Sequence, residues 1–377
     1  MKRYVIIAGE ISGDNYGSKL IASIRSAHND RVEFWGIGGP KMVEAGLNSL
    51  ANIDNIAVVG FSEVIKKLPV LLRLLNRLAL FINELNPDNI ILIDFPGFNL
   101  KLAQKIKKQS KKLKITYFIS PQIWAWNEGR IKNIKKYIDL MLVIFPFEKE
   151  YYLSKNINVH YIGHPFLDDL ELNSQINNKI NFGFSENKKI IGIFPGSRRE
   201  EIKRHLPIYL KSIRIFKKNH PNIECAIGLA PGFDIEKIQK EYHTGNIPII
   251  NKNPLLMLSC CDVALVTSGT ISLEATFMNI PSIVSYKLST LSWLISKILI
   301  KTKYISITNI MANRMLIPEF IQHNVTSKNI IKELSNSIYE KNILIKNELK
   351  KIQNEFSDRK NAIDNAVKLI TLKNESD

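Results

Sequence analysis

The chain opens Met1-Lys2-Arg3-Tyr4-Val5-Ile6-Ile7-Ala8-Gly9-Glu10-Ile11-Ser12-Gly13-Asp14. A basic start followed by an apolar run superficially matches a signal peptide. The run is too short for one, and Glu10 and Asp14 follow at once, so it reads as a first β-strand. Tyr4–Ala8 is apolar without alternation, as a strand buried on both faces must be. The small residues Gly9, Ser12 and Gly13 let a backbone approach a ligand, and the next helix offers its N-terminus there. The stretch is not a GxGxxG motif, and a plain turn with Ser12 or Asp14 as N-cap explains it equally well. Glu10, Ser12, Gly13 and Asp14 are therefore candidate cleft residues with a structural alternative.

Further along, the same strand type recurs at Val32–Ile37, Asn89–Ile93, Lys114–Ile119, Leu140–Ile144 and Val159–Ile162. Helical patterns such as Gly17–Ala27 and Leu68–Leu85 lie between them. A βαβ series of this kind implies a parallel, doubly wound sheet. The series restarts at Lys189–Phe194, Ile223–Leu229, Ile247–Ile250, Val263–Val266 and Ser282–Ser285; Pro248 suits the third of these only to a sheet edge. The polar, Asn-rich stretch Asp168–Asn187 reads as a linker. The expected architecture is α/β: two Rossmann-like domains, residues 1–167 and 168–345, facing a cleft. A charged C-terminal helix, from about 346 to 377, is placed to pack back on the first domain. In open α/β sheets ligands bind beyond the carboxyl ends of strands, so those ends are where chemistry is sought.

Composition bounds the function less sharply. The 377 residues carry a formal charge of +17, with 45% hydrophobic residues. That charge suits a phosphorylated ligand, an anionic membrane or nucleic acid. Lys and Asn are spread along the whole chain, however, which raises the charge without making a patch, so nucleic acid ranks last among partners. The three cysteines, Cys225, Cys260 and Cys261, form no CxxC and fit a reducing cytoplasm. No run is long and apolar enough to span a bilayer. The histidines do not cluster at metal spacing, and His164 in Gly163-His164-Pro165 reads as structural; no metal and no cofactor are expected.

The strand ends carry the candidate sites. Asp94, in Ile93-Asp94-Phe95-Pro96-Gly97-Phe98-Asn99, is suited to act as a general base, or equally to cap the next helix. Ser120-Pro121-Gln122-Ile123-Trp124-Ala125-Trp126 gathers two of the four tryptophans, fit for stacking on a sugar or for core packing. In Pro195-Gly196-Ser197-Arg198-Arg199-Glu200-Glu201, Arg198 stands at a helix start. An arginine with free N–H groups is a diphosphate site that needs no metal. Thr267-Ser268-Gly269-Thr270-Ile271-Ser272-Leu273-Glu274 can cradle a diphosphate while Glu274, one turn into its helix, accepts the hydroxyls of a ribose; a capping box is the alternative. Tyr304–Arg314 and Ile317–Gln322 read as a polar loop and an N-terminal helical turn, with Asn309 and Glu319 able to bind sugar hydroxyls.

Taken together and in order, these segments resemble the lipid-A-disaccharide synthase family. The likeness runs from Ala8-Gly9-Glu10 through Gly38-Gly39-Pro40, Asp94-Phe95-Pro96, Trp124-Ala125-Trp126, Pro146-Phe147-Glu148, Gly163-His164-Pro165, Pro195–Arg198 and Ser268–Glu274 to Asn309 and Gln322. The resemblance implies a GT-B glycosyltransferase that is peripheral to the inner face of the cytoplasmic membrane and is in some members a homodimer. It would join UDP-2,3-diacylglucosamine to 2,3-diacylglucosamine 1-phosphate with inversion, giving the β-1,6 disaccharide 1-phosphate and UDP. Asp94 is then the candidate base and Arg198 the stabiliser of the leaving UDP. Ser197, Ser268, Gly269, Thr270, Glu274 and Asn309 would hold the UDP-sugar. Two departures stand out: Gly97 replaces the family's second carboxylate, and Asn313 replaces a glycine.

Acylated substrates require contact with a bilayer. Phe61–Leu85 mixes Leu68, Leu71, Leu72 and Leu75 with Lys66, Lys67, Arg73 and Arg77, as an interfacial helix does, and Leu291–Ile300 with Trp293 is a second such stretch. Both also suit ordinary core-facing helices. A UDP-N-acetylglucosamine epimerase of the same fold is the rival enzyme, and a basic nucleic-acid-binding protein the non-enzymatic rival.

Overall fold

The computed structural model describes the chain apart from residues 53–60, 126, 173–178, 291–292, 294–301, 357–359 and 373–377, with backbone alone for 61–68 and 171–172. The chain divides into two compact units. The first runs from Met1 to Asp168 and is joined by the helix Ala362–Thr371; the second comprises Asp169–Ile298 and Thr302–Ser357.

The first unit is built on a seven-stranded sheet in the order β3-β2-β1-β4-β5-β6-β7, parallel at every pairing. Its strands are β1 (Lys2–Ala8), β2 (Val32–Gly38), β3 (Leu47–Asn52), β4 (Asn89–Ile93), β5 (Ile115–Phe118), β6 (Leu140–Val143) and β7 (Val159–Tyr161). The second unit has six parallel strands in the order β10-β9-β8-β11-β12-β13. These are β8 (Ile190–Phe194), β9 (Glu224–Gly228), β10 (Ile249–Ile250), β11 (Val263–Thr267), β12 (Ser282–Tyr286) and β13 (Glu319–Ile321). The central strands β4, β5, β8 and β11 are buried along their whole length, which is why their sequences are apolar rather than alternating. Strand order reverses between β1 and β4 in the first sheet and between β8 and β11 in the second. At such switch points the flanking loops diverge and leave a crevice at the strands' carboxyl ends.

Helices cover the sheets: α1 (Ile11–Ala27), α2 (Pro40–Glu44), α3 (Phe61–Leu85), α4 (Pro96–Gln109), α5 (Ile131–Tyr137), α6 (Pro146–Leu153) and α7 (Pro165–Leu172) in the first unit. The second has α8 (Arg199–Asn219), α9 (Ile235–Tyr242), α10 (Pro254–Ser259), α11 (Thr270–Phe277), α12 (Ile307–Ala312), α13 (Ser327–Ser335) and α14 (Asn342–Asn354). Leu349 and Ile352 on α14 are buried, and Ile345 and Leu349 join a core cluster of the second unit. The return to the first unit falls later, in α15 (Ala362–Thr371), which lies against α1. Asp168 fixes its start by accepting the N–H groups of Asn361 (2.9 Å) and Ala362 (2.7 Å).

Several sequence expectations change. Two strands are unexpected. β3 is a polar edge strand, and Glu319–Ile321 is a short, half-exposed edge strand rather than a helical turn. Short edge strands bury too little to show an apolar run. Helix α1 begins at Ile11, earlier than Gly17, because packing overrides the weak helix propensity of Gly13 and Gly17. Pro248 does lie at an edge, giving its carbonyl to Ile227 N–H (2.9 Å) beside the two-residue β10.

Helix α3 also corrects a membrane assignment. Leu75 is 2% exposed and sits in the core with Leu78, Ala79 and Ile82, one stripe at helical spacing. It is not available to a bilayer. Leu71 packs partly against the same core, whereas Leu72, Val70 and Leu80 face outward beside Arg73 and Arg77. Leu68 lies in the helix, but its side chain is outside the described residues; so is the Leu291–Ile300 stretch except for Trp293, which is half-buried. Among the described residues no helix is long and apolar enough to cross a membrane.

Candidate active site

In the first unit the register pairs Ala8 with Ile93, so the turns after β1 and β4 emerge side by side and carry Glu10 and Asp94. Asp94 is half-buried, and its carboxyl is pushed up to about 7, chiefly by burial and then by the negative charge of Glu10. Asp94 and Phe95 are both left-handed, with φ of 43° and 46°. Two successive non-glycine residues there are strained by roughly 1–3 kcal/mol each, and surrounding bonds must hold them. Three do so. The Asn99 amide donates to the carbonyls of Ile93 (3.1 Å) and Asp94 (2.8 Å), and the buried Tyr117 hydroxyl donates to the Asp94 carbonyl (2.5 Å). Phe95 is turned onto Gly9, where any Cβ would stand 2.4 Å from its ring. That contact explains a glycine at the end of β1. Asp94 does not cap α4: its neighbour Phe95 is the N-cap, with no side-chain cap bond.

The other expected residues of this unit take different roles. Asp14 is buried, and its two oxygens accept the N–H groups of Gly39 (2.8 Å), Met42 (3.0 Å) and Lys41 (3.2 Å). It therefore fastens the start of α2, and its carboxylate is committed within the protein. Ser12 and Gly13 lie in the first turn of α1, half-buried and buried respectively. The Trp124 indole N–H donates to Glu148 (3.0 Å), and its ring meets Phe147 edge-on, with centroids 5.0 Å apart. Glu148 is fully buried, which pushes its carboxyl up to about 7. Trp126 lies outside the described residues. His164 is buried against Phe145, and burial drives its imidazole down to about 3, as a neutral structural histidine requires.

In the second unit Phe194 is paired with Val266, so the turns after β8 and β11 are again adjacent. Arg198 is the N-cap of α8 and is exposed. Two of the backbone N–H groups there are already taken. Glu201, three residues on, accepts those of Ser197 (2.9 Å) and Arg198 (3.3 Å), and its other oxygen lies 3.7 Å from the Arg198 guanidinium. This is the reciprocal half of a capping box, readable from the Arg198-x-x-Glu201 spacing. Gly196, at φ +120°, leaves the space Glu201 fills; a Cβ would come within 2.4 Å of its carboxylate.

The turn after β11 is organised differently. Gly269 caps α11 with no side-chain bond, and the space where its Cβ would point is open. Ser268 donates to the Ile305 carbonyl (3.4 Å), and Thr270 is exposed. Glu274 takes no part in a capping box. Its carboxylate has no hydrogen bond or ion pair among the described residues, and burial alone pushes it up to about 7. Glu274 is half-buried, and a largely desolvated carboxylate without a protein partner costs stability unless water or a ligand meets it.

Asn309 is corrected by the structure. It is 0% exposed, and its amide donates to Ile317 carbonyl (2.8 Å) and Glu319 (2.7 Å) while its oxygen accepts from Leu316 (2.8 Å) and Ile317 (2.9 Å). All of its donors and acceptors are used, so it cannot also hold a sugar. Glu319 is likewise spent, accepting from Ile305 N–H (2.9 Å), Ser306 N–H (2.9 Å) and the Ser306 hydroxyl (2.6 Å). Together they brace the loop that touches Ser268. Asn313 closes α12 in the left-handed conformation at φ 49°, where asparagine replaces glycine at little cost. Tyr117 has a role here that the sequence does not suggest, and Glu201 one that only its spacing from Arg198 signals.

Comparison with known proteins shows the family. The family model for lipid-A-disaccharide synthetase matches residues 4–373. A lipid-A-disaccharide synthase of Trichlorobacter lovleyi is 37% identical over 336 residues, covering 88% of this chain and 87% of that protein. One from Syntrophus aciditrophicus is 36% identical, with 88% and 87% covered. Among solved structures, a UDP-GlcNAc 2-epimerase from Neisseria meningitidis bound to UDP-GlcNAc superposes with TM-score 0.63 at 15% identity, covering 98% of both chains. The glycotransferase of kitacinnamycin gives 0.62 at 12% identity, again with 98% of both covered. At such identity these two likenesses show the fold alone. The sequence relatives carry the assignment: the chain belongs to the lipid-A-disaccharide synthetase family.

Proposed function

We propose that the protein transfers 2,3-diacylglucosamine from UDP to the 6-hydroxyl of 2,3-diacylglucosamine 1-phosphate, with inversion. The observation that carries this, beside family membership, is Glu274: a desolvated carboxylate without a partner, one turn into a helix whose capping glycine borders open space. A ribose diol satisfies it with two hydrogen bonds. The diphosphate is assigned to the Arg198 guanidinium and the Ser268–Thr270 turn, with Ser197 beside them, because Glu201 already takes the backbone N–H groups of Ser197 and Arg198. Asp94 takes the proton of the acceptor hydroxyl as its oxygen bonds to the anomeric carbon. The bond from that carbon to UDP breaks in the same step, and Arg198 offsets the charge that develops on the leaving diphosphate.

Both sugars carry acyl chains, so the protein works at the inner face of the cytoplasmic membrane. Val70, Leu72 and Leu80, exposed among Arg73 and Arg77, support α3 as the contact. The test is incubation with UDP-diacylglucosamine and the acylated sugar phosphate, separating products by thin-layer chromatography. Disaccharide and UDP in equal amounts are expected. No UDP release, or conversion of UDP-N-acetylglucosamine to its epimer, would sink the reading.

A further inference from the structure

We propose that His205 and Tyr209 are positioning residues that yoke the two strand-end turns of the donor site, an inference that rests on the donor reading above. Both stand on α8, the helix that begins beside Arg198, and their spacing of four puts them on one face. His205 is completely buried. Its Nδ1 lies 2.8 Å from the Glu201 carbonyl oxygen, and its Nε2 lies 3.0 Å from the backbone nitrogen of Lys287. A carbonyl oxygen only accepts, so Nδ1 carries the hydrogen. Nε2 then has the lone pair and accepts the Lys287 N–H. Lys287 directly follows β12. Tyr209, also buried, donates its hydroxyl to the Val266 carbonyl (2.9 Å), two residues before Ser268. The two rings are 6.0 Å apart.

One helix thus grips the carboxyl ends of β11 and β12 at separate points. The strand ladders fix β8, β11 and β12 to one another, but no ladder fixes where α8 begins. The grip supplies that, setting the distance between Arg198 and the Ser268–Thr270 turn. Gln322 holds the next residue from the other side, accepting the Leu288 N–H (2.6 Å) and donating to its carbonyl (3.3 Å). A diphosphate that must meet both turns binds well only if their separation is preset. Histidine and tyrosine that merely fill the core would show no such preference for one substrate.

The test uses the full chain, with calorimetric titration of UDP and steady-state KM for each substrate. His205→Leu removes both the donor to Glu201 and the acceptor for Lys287; loss of the Lys287 bond, the one that reaches β12, is expected to weaken UDP binding by roughly fivefold to tenfold. Its KM for the acylated sugar phosphate stays at the wild-type value. His205→Gln keeps an acceptor within reach of Lys287 and restores UDP binding to within about twofold. Tyr209→Phe keeps the ring and loses only the hydroxyl; it weakens UDP binding in the same direction, and its affinity is the deciding measurement if His205→Leu does not fold. Wild-type UDP affinity in His205→Leu or, failing that variant, in Tyr209→Phe overturns the yoke, as does a His205→Gln protein no better than His205→Leu. A wild-type protein that binds no UDP at all removes the donor reading itself, and the yoke with it.

Discussion

Burial and then the Glu10 charge push the Asp94 carboxyl up to about 7, so it gains its charge as pH rises through that value. A base must be deprotonated to work, so kcat should fall as pH drops below 7, approaching tenfold per unit. Glu10→Gln removes the like charge and leaves the burial. Its acid limb should move to lower pH without reaching the ordinary carboxylate range near 4. A limb that stays in place in the pH–kcat profile would separate Asp94 from Glu10. Glu274 is raised in the same direction, with a consequence for stability. Its carboxyl is raised above the unfolded value, so the fold gains from the protonated form at low pH and loses that gain as pH rises through about 7. Glu274→Gln should therefore raise the Tm at pH 8 and not at pH 5, a gain of about 1–3 kcal/mol at most. The same change should weaken UDP binding about tenfold or more by removing a charged acceptor. A variant with unchanged Kd would show that no ligand meets this carboxylate.

At the scale of elements, α3 has two faces that mutation should tell apart. Leu75→Ala opens a cavity in the core and should cost about 2–5 kcal/mol in denaturant unfolding. Replacing Val70, Leu72 and Leu80 together with serine should leave stability within about 1 kcal/mol while reducing sedimentation with anionic vesicles. Equal vesicle binding by that triple variant would move the membrane contact elsewhere. The start of α4 offers a gain. The space beyond Gly97 is empty, and an acid in the first turn of a helix is favourable, so Gly97→Asp should raise stability by roughly 0.3–1 kcal/mol. Elements like these differ in how readable they are. β1, β4, β8 and β11 announce themselves because strands buried on both faces must be apolar throughout. β3 stays hidden because its edge position keeps polar residues, and β13 because three residues are too few to show a pattern. In α3 a mix of leucines and arginines fits a bilayer or a core, and only the burial of Leu75 divides the two. The site shows the same limit. The places of Arg198, Ser268 and Glu274 at or just beyond strand ends are legible, but the sequence cannot tell that Asn309 spends its whole amide on Leu316, Ile317 and Glu319. Tyr117 and His205 give no signal, since one buried aromatic in a strand and one histidine on a helix face look like any others.

Across the whole molecule, the two candidate half-sites belong to different units: Glu10 and Asp94 to the first, Arg198, Glu201, Ser268 and Glu274 to the second. Each is assembled at its own switch point by its own sheet, the first where Ala8 meets Ile93 and the second where Phe194 meets Val266. Binding of UDP alone should therefore depend on the second unit and be blind to the first. Asp94→Asn should bind UDP with the wild-type Kd while losing at least about a hundredfold in kcat, the lower end of what a positioned base contributes. Arg198→Ala should weaken UDP binding by about tenfold or more and lower kcat as well, since a charge-assisted contact to the diphosphate strengthens as UDP leaves. In UDP titration the double variant should match Arg198→Ala alone, because the Asp94 change is expected to cost no UDP affinity and independent effects add. A loss of UDP affinity in Asp94→Asn comparable to that in Arg198→Ala would mean that Asp94 touches the donor, and its assignment as base for the acceptor hydroxyl would fall.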